Sequence, residues 1–186
     1  MTFALVALFC FDAARLPGRT DADGLLLQLE NQDRSKWDWA LIGKGFHFLE
    51  KSASEKRLSE FHLEAAIASL HSGAEIYDKT DWSRIQELYG LLYRLKPTPV
   101  VALNRALAVG HAQSPEKGLM ELAQIPGLAK LKNYPFYPAA QGEFHRLAGR
   151  RQDARRCFES ALKLARNPSE ARFLERKLQS CIASEI

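Results

Sequence analysis

Few side chains in this sequence stand at the spacings that catalysis or metal binding requires. Cys157 and His145 form the one cysteine–histidine pair that lies close together along the chain. A nucleophilic cysteine needs an activated, accessible thiol, and Cys157 falls on an apolar helical stripe instead. The five histidines do not form HExxH or another metal-ligand spacing. We therefore predict that the chain is not an enzyme and binds no metal.

Motifs for nucleotides and acyl groups are missing as well. The sequence contains no GxSxG turn, and Gly43-Lys44-Gly45 lies inside a helical pattern without the other residues of a P-loop. We expect no bound cofactor. The 3 cysteines, Cys10, Cys157 and Cys181, are far apart and include no CxxC pair. They are predicted to be free thiols in a reducing compartment, which favours a cytoplasmic location.

A polar cluster that could bind a partner comprises Gln32, Asp33 and Arg34, followed by Trp37. In the simpler interpretation Asp33 caps a helix that runs to about Lys51, with ion pairs in the first turn. The alternative is a polar patch that ties the N-terminal region to the rest of the chain or to another domain.

A second candidate for partner binding is the pair Asn104 and Arg105, on a helix predicted from Pro99 to about Val109. If this helix lines the groove of a repeat protein, Asn104 could hydrogen-bond an extended peptide's backbone. Arg105 could then hold a carboxylate through two parallel hydrogen bonds. A buried polar network that fixes the helix register is an equally good interpretation.

The elements that position these residues are predicted to be helices. Apolar residues recur every three or four positions, and no segment shows the alternation of a strand. The predicted class is all-α. The helices are expected at about Ala4–Arg15, Asp33–Lys51, Glu55–Leu70, Trp82–Leu95, Pro99–Val109, Pro115–Gln124, two between Pro138 and Pro168, and Asn167–Ala183.

Cap residues and buried positions can be assigned to several of these helices. Thr98-Pro99 and Ser114-Pro115 place an N-cap before a proline at the first helical position. Gly73 is expected to be a C-cap. The stripe of the fourth helix is expected to end on a buried Leu95. The last helix is expected to bury Ala171, Leu174, Leu178, Cys181 and Ile182.

The segment from Pro138 to Pro168 has the pattern of a helical hairpin. Gly142 and Ala154 are small residues where two helices would approach closely, Phe158 fills the seam, and Gly149 lies in the turn. Gly118 lies 36 residues before Ala154, close to the tetratricopeptide period of about 34. We predict stacked antiparallel hairpins in a tetratricopeptide-like right-handed solenoid. The 186 residues would form one domain, with cap helices in 1–55, about three degenerate units in 56–166 and a capping helix in 167–186.

The net charge of +4 is confined to the C-terminal quarter of the chain. Residues 143–186 contain 10 Lys and Arg against 6 Asp and Glu, whereas residues 1–142 contain 16 of each. Solvated outer helix faces are the simplest interpretation. Contact with a nucleic acid through Arg150, Arg151, Arg155 and Arg156 is a weaker alternative.

Several sequence blocks, taken together and in order, resemble the C-terminal extension of a group of bacterial extracytoplasmic-function sigma factors. The extension is described as tetratricopeptide-like, and the resemblance covers essentially the whole chain. The blocks are Asp12-Ala13-Ala14-Arg15, Asp21-Ala22-Asp23-Gly24, Gln32 to Asp38 with Leu41-Ile42, Thr80-Asp81-Trp82, Pro99 to Ala106, and Asn167-Pro168.

The resemblance implies an accessory module that acts in transcription initiation. Its expected partners are proteins: sigma regions in cis, RNA polymerase or a regulator. DNA would be contacted only indirectly, through sigma regions 2 and 4, which this sequence lacks. The apolar run from Thr2 to Phe11 is too short to span a bilayer, so no membrane partner is expected. That apolar start and the missing regions predict the C-terminal part of a longer polypeptide. The alternative is a free-standing helical-repeat scaffold that binds a peptide in its groove.

Overall fold

The backbone of this chain is helical almost throughout, as a computed structural model shows for residues 2–22, 24–55 and 57–182. Within these residues the one β feature is an isolated bridge between Thr20 and Leu26. The all-α class is therefore confirmed. The helices are α1 (Thr2–Ala14), α2 (Trp39–Ser52), α3 (Glu60–Gly73), α4 (Trp82–Leu95), α5 (Pro99–Ala112), α6 (Pro115–Ala123), α7 (Phe136–Leu147), α8 (Arg151–Leu162) and α9 (Pro168–Ile182).

The helices fall into two compact units, which divide between Pro97 and Thr98. In the N-terminal unit α1 packs against both α2 and α3, and α3 packs against α4. The ring of Phe11 is fully buried in this core. The aromatic ring of Phe11 presses on Gly45, where a Cβ atom would come within 2.7 Å of the ring. The buried core cluster is Ala7, Phe11, Ala14, Trp37, Ile42, Ala65 and Ala68.

The C-terminal unit packs each helix against the next, from α5 to α9. The ring of Phe144 lies against Gly110 and Gly118, and a Cβ atom at either glycine would overlap the ring. Phe158 meets Gly142 in the same way, with its ring 3.0 Å from the position of a Cβ. Gly110 and Gly118 are required because the Phe144 ring occupies the space that a side chain would need, and Gly142 permits the close approach of Phe158.

The predicted hairpin is present in this unit. Helices α7 and α8 pack against each other and are joined by the short turn Ala148–Arg150. Gly149 has φ of +74°, a left-handed conformation that glycine adopts without strain. Ala154, Phe158 and Ala161 of α8 are buried, as the spacing predicts.

Local cap signals define several helix starts as predicted. The side chain of Thr98 accepts a hydrogen bond from the Val101 amide, and that of Ser114 accepts one from the Lys117 amide. Asn167 Oδ1 accepts the amide of Glu170 at 2.9 Å. In each case a proline occupies the first helical position, where its missing N–H costs nothing.

Four predicted details are wrong. Asp33 caps a 3₁₀ turn, Arg34–Lys36, and the long helix begins only at Trp39 because Asp38 accepts the Leu41 amide. The third helix begins at Glu60 rather than Glu55, with Ser59 as its cap. Gly73 belongs to that helix, and the cap residue is Ala74.

The fourth error and one open case concern buried positions. Leu95 is half exposed, since it ends α4 on the solvent side, whereas Leu88 is buried in its place. In α9, Leu174 and Cys181 are buried as predicted, and Ala171 and Leu178 are only partly buried. The side chain of Ile182, and the predicted extension of α9 to Ala183, lie outside the part of the chain that is described.

Candidate protein-interaction site

Arg34 connects an irregular segment to the end of a distant helix. Its Nη1 donates hydrogen bonds to the carbonyl oxygens of His71, at 3.0 Å, and Ala74, at 2.6 Å. These carbonyls belong to the last turn of α3 and the residue that follows it, where a helix leaves acceptors unpaired and carries partial negative charge. The guanidinium group therefore serves as a C-terminal cap supplied from elsewhere in the chain.

Trp37 completes this connection. The Arg34 guanidinium lies over the indole ring, 4.5 Å from its centroid, a favourable cation–π arrangement. Trp37 is only 3% exposed and belongs to the core of the N-terminal unit. Gly18 leaves room for the indole, because a Cβ there would come within 2.8 Å of its Nε1 atom. Burial, together with the charge of Arg15, lowers the pKa of Arg34.

Gln32 and Asp33 have local roles beside this pair. The amide of Gln32 donates from Nε2 to the Leu27 carbonyl at 3.1 Å. Asp33 is exposed and accepts the side chain and the backbone amide of Ser35, which together lower the pKa of Asp33. The structure therefore brings Arg34 and Trp37 into direct contact, while Asp33 serves as a cap. Asp33 is thus a cap, though not of the long helix, and Arg34 ties this segment to α3 within the N-terminal unit.

The second predicted pair lies on α5 of the C-terminal unit. Arg105 forms an ion pair with Glu121 of α6, so the chain itself supplies the carboxylate that a bound peptide was expected to provide. Asn104 is half-buried on the same helix. This arrangement favours the interpretation in which the pair fixes the register of neighbouring helices.

Three arginines of the basic quarter pair with carboxylates of the same unit. Arg150 pairs with Glu116, and Arg155 pairs with Glu159. Arg156 lies 3.3 Å from Asp153. Paired guanidinium groups on a solvated surface provide less attraction for phosphates than the charge count suggests.

A serine–histidine–glutamate cluster at the start of α3 was not anticipated from the sequence. His62 Nδ1 accepts the backbone amide of Ser59 at 3.1 Å and lies 2.8 Å from the Ser59 hydroxyl. His62 Nε2 lies 3.4 Å from the carboxylate of Glu55, which also accepts the Phe3 amide. Because the backbone amide occupies Nδ1, the cluster is a capping box that uses histidine in place of the usual Glu or Gln.

Cys157 and Cys181 lie in surroundings that do not activate a thiol. Burial, with a contribution from the Asp153 carboxylate, raises the pKa of Cys157. Burial also raises the pKa of Cys181. Both shifts are opposite to the activation that a catalytic thiol needs. All 3 cysteines are free thiols.

Apolar side chains on the outer side of α1 form an exposed surface. Ala4, Ala7, Phe11 and Ala14 bury one side of this helix, yet its other side is apolar too. Phe9 is 62% exposed there. Trp39, at the start of α2 in the same unit, is 52% exposed. Large exposed aromatic side chains of this kind are enriched at protein interfaces.

The described residues provide neither a metal-binding cluster nor a helix suited to a membrane. No group of three or more His, Cys, Asp and Glu side chains in that part of the chain is arranged to hold a metal ion. Of the helices described, none combines the length and the apolar character that crossing a membrane requires.

Comparison with known proteins places this chain beside proteins that carry no assigned activity. The profile of a family of unknown function (DUF6596) matches residues 1–53, which contain α1, α2 and the irregular residues between them. An uncharacterized protein of Rhizobium meliloti (strain 1021) is 37% identical over 180 residues. The match covers 96% of this chain and 42% of that relative, so the chain spans less than half of the relative's length. No solved structure matches the chain.

Proposed function

We propose that this chain is an accessory, regulatory protein-interaction module of a bacterial sigma factor. It acts in transcription initiation through contacts with sigma domains, RNA polymerase or a regulator, in the cytoplasm. DNA is contacted only through the sigma regions that the module serves. The proposal rests on the resemblance of the sequence blocks Gln32–Asp38 and Pro99–Ala106 to the C-terminal extension of these sigma factors.

The observation that carries a protein-binding role is the apolar outer side of α1. Phe9 leaves more than half of its surface in water although it lies in the middle of a helix whose other side is fully packed. Burying such a side chain against a partner contributes about 1.5–3 kcal/mol. A helix that is apolar on all sides is expected to be covered on several of them.

The finer fold assignment, a tetratricopeptide-like solenoid, is part of the same proposal. It is supported within the C-terminal unit by Gly118 and Ala154, small buried residues 36 positions apart in successive second helices. Leu122 and Phe158, four residues after each of them and also 36 positions apart, are both fully buried. This recurrence is what stacked hairpins of one repeat type would produce.

The proposal is tested by removing residues 1–186 from the sigma factor that carries them. Promoter-specific transcription with purified RNA polymerase, and its regulation in cells, should both change. Unchanged transcription and unchanged regulation would contradict the proposal. Phe9→Ser is a useful companion variant, because it removes the exposed ring of the proposed contact surface and is expected to leave the module folded.

The alternative function, a free-standing scaffold that binds a peptide in a groove, depends on Asn104 and Arg105. The ion pair between Arg105 and Glu121 makes this alternative weaker, because a peptide carboxylate would have to displace Glu121. Peptide capture that survived Asn104→Ala and Arg105→Ala would count against the groove.

A further inference from the structure

Residues 27–37, here called the strap, cover the core of the N-terminal unit without forming an α-helix. The strap contains two 3₁₀ turns, Leu29–Asn31 and Arg34–Lys36. Leu29 and Trp37 are its apolar anchors in the core cluster. Glu30, Asn31, Asp33, Ser35 and Lys36 are exposed, but the polar groups on the side of the strap that meets the core need internal partners.

Several of those partners are missing. Four side-chain atoms of the strap are buried and have no hydrogen-bond partner within the described residues: Gln28 Oε1, Gln32 Oε1, Arg34 Nη2 and Trp37 Nε1. Arg15 Nε, beside the strap, is in the same state. Each buried polar group without a partner has given up its hydration and gained nothing in return.

The strap's backbone is bonded mainly to itself. The amides of Asn31, Lys36 and Trp37 donate to carbonyls three residues earlier within the strap. The polar links from the strap to α3 are the two hydrogen bonds of Arg34. The strap can therefore leave the end of α3 when the two Arg34 hydrogen bonds break, and its two ends stay attached where the Leu27 amide donates to Arg19 and the Asp38 amide donates to Ala14.

We propose that the strap is a releasable cover, which opens as one unit when Arg34 leaves the end of α3. Closing buries Trp37 and caps α3. Opening returns the four unpaired atoms to water and uncovers the core cluster of the N-terminal unit. Closing gains hydrogen bonds and apolar burial, whereas opening regains the hydration of four polar atoms. The two forms therefore compete, as in a bistable element. This device does not depend on the identity of the partner or on the proposed function.

Hydrogen exchange of the complete chain tests the cover directly. Single 3₁₀ turns do not persist in water once their anchors have left the core. The amides of Asn31, Lys36 and Trp37, which are bonded in these turns, should therefore exchange through one shared opening, with a weaker denaturant dependence than the amides of Ile67 and Ala68 in α3. If the three strap amides exchanged at unrelated rates, or only together with α3, the proposal would be overturned.

Substitution of Arg34 tests its role as the latch. Arg34→Met should speed exchange of the three strap amides by about tenfold or more, because hydrogen bonds to a charged group are lost, and leave the middle of α3 unchanged. Arg19→Met, at an exposed arginine just before the strap, is the matched control and should change nothing. Arg34→Lys keeps the charge but loses the several N–H donors of the guanidinium group, so it should speed exchange by a smaller factor. This variant replaces Arg34→Met if Arg34→Met does not fold. Unchanged strap exchange in both Arg34 variants would refute the latch.

Discussion

The two units of this protein bury a charge in opposite ways. In the C-terminal unit Glu143 has both oxygens paired: Oε1 accepts from Arg146 and Oε2 accepts from Lys177 at 3.0 Å. In the N-terminal unit Arg34 uses Nη1 for two carbonyls and leaves Nη2 buried without a partner among the described residues. A fully paired charge fixes neighbouring helices, whereas an incompletely paired one makes its segment easier to release.

Phe144 and Phe158 of the C-terminal unit and Trp37 of the N-terminal unit also differ in how they reach the core. Phe144 and Phe158 lie against glycines of regular helices, so their contacts form whenever the helices pack. Trp37 reaches its core from an irregular segment and brings polar groups with it. Regular packing, which Phe11 on Gly45 also shows in the N-terminal unit, predicts cooperative stability, and irregular packing predicts local opening of the segment that carries Trp37.

Phe144→Ala should have the largest effect of the substitutions that examine this contrast. The ring is fully buried between Gly110 and Gly118, so its loss leaves a cavity and should lower the free energy of unfolding by about 3–5 kcal/mol. Chemical denaturation measures the change. Phe9→Ala, at an exposed phenylalanine, is the control and should stay within about 0.5 kcal/mol. Equal losses of unfolding free energy in the two variants would show that the Phe144 ring is not closely packed between Gly110 and Gly118.

Glu143→Gln should come next, and its effect should depend on pH. Burial by itself raises the pKa of Glu143, but Arg146 and Lys177 outweigh it and hold the pKa below its ordinary value of 4.5. The stabilisation from ionised Glu143 is thus complete above about pH 4.5 and is lost as pH falls through the lower, folded-state pKa.

At pH 7 we expect Glu143→Gln to cost about 3 kcal/mol, the low end for breaking a buried pair, because both Glu143 and Lys177 keep 13% exposure. The cost should shrink in acid. Glu159→Gln, in an exposed pair with Arg155, should cost less than about 1 kcal/mol at any pH. A Glu143→Gln effect that is the same at pH 3 and pH 7 would contradict the account.

A pair of glycines on one helix gives the finest comparison. Gly45→Ala should destabilise the chain by about 1–3 kcal/mol, since the new Cβ meets the Phe11 ring. Gly43→Ala, two residues earlier, meets no atom within 4 Å and should stabilise the helix by about 0.5–1 kcal/mol. Thermal denaturation resolves the opposite signs, and the same sign at both positions would show that Phe11 does not pack closely on Gly45.

The features that could be predicted from sequence are those that neighbouring residues decide. The caps at Thr98 and Ser114 and the turn at Gly149 depend on a few adjacent residues, and all three are present. The start of α2 was wrong because both Asp33 and Asp38 can cap. The choice between them depends on Trp37, whose burial in the core keeps the intervening residues out of the helix.

The sequence indicated which residues belong to the candidate site but not which atoms they contact. The types of Arg34 and Trp37 marked a polar cluster, yet the acceptors of Arg34 lie 37 and 40 residues away. No local pattern indicates them. The capping box at Ser59 was missed for a related reason, because His62 does not match the Glu or Gln that the pattern requires.

The central claim, that the outer side of α1 contacts the transcription apparatus, is tested most directly by photo-cross-linking in cells. A benzophenone amino acid at position 9 should form an adduct with a sigma region, RNA polymerase or its regulator, identified by mass spectrometry. The same probe at position 120, which is exposed in the C-terminal unit, should not form that adduct. Adducts with none of these proteins at position 9, in cells where the gene is expressed, would contradict the account.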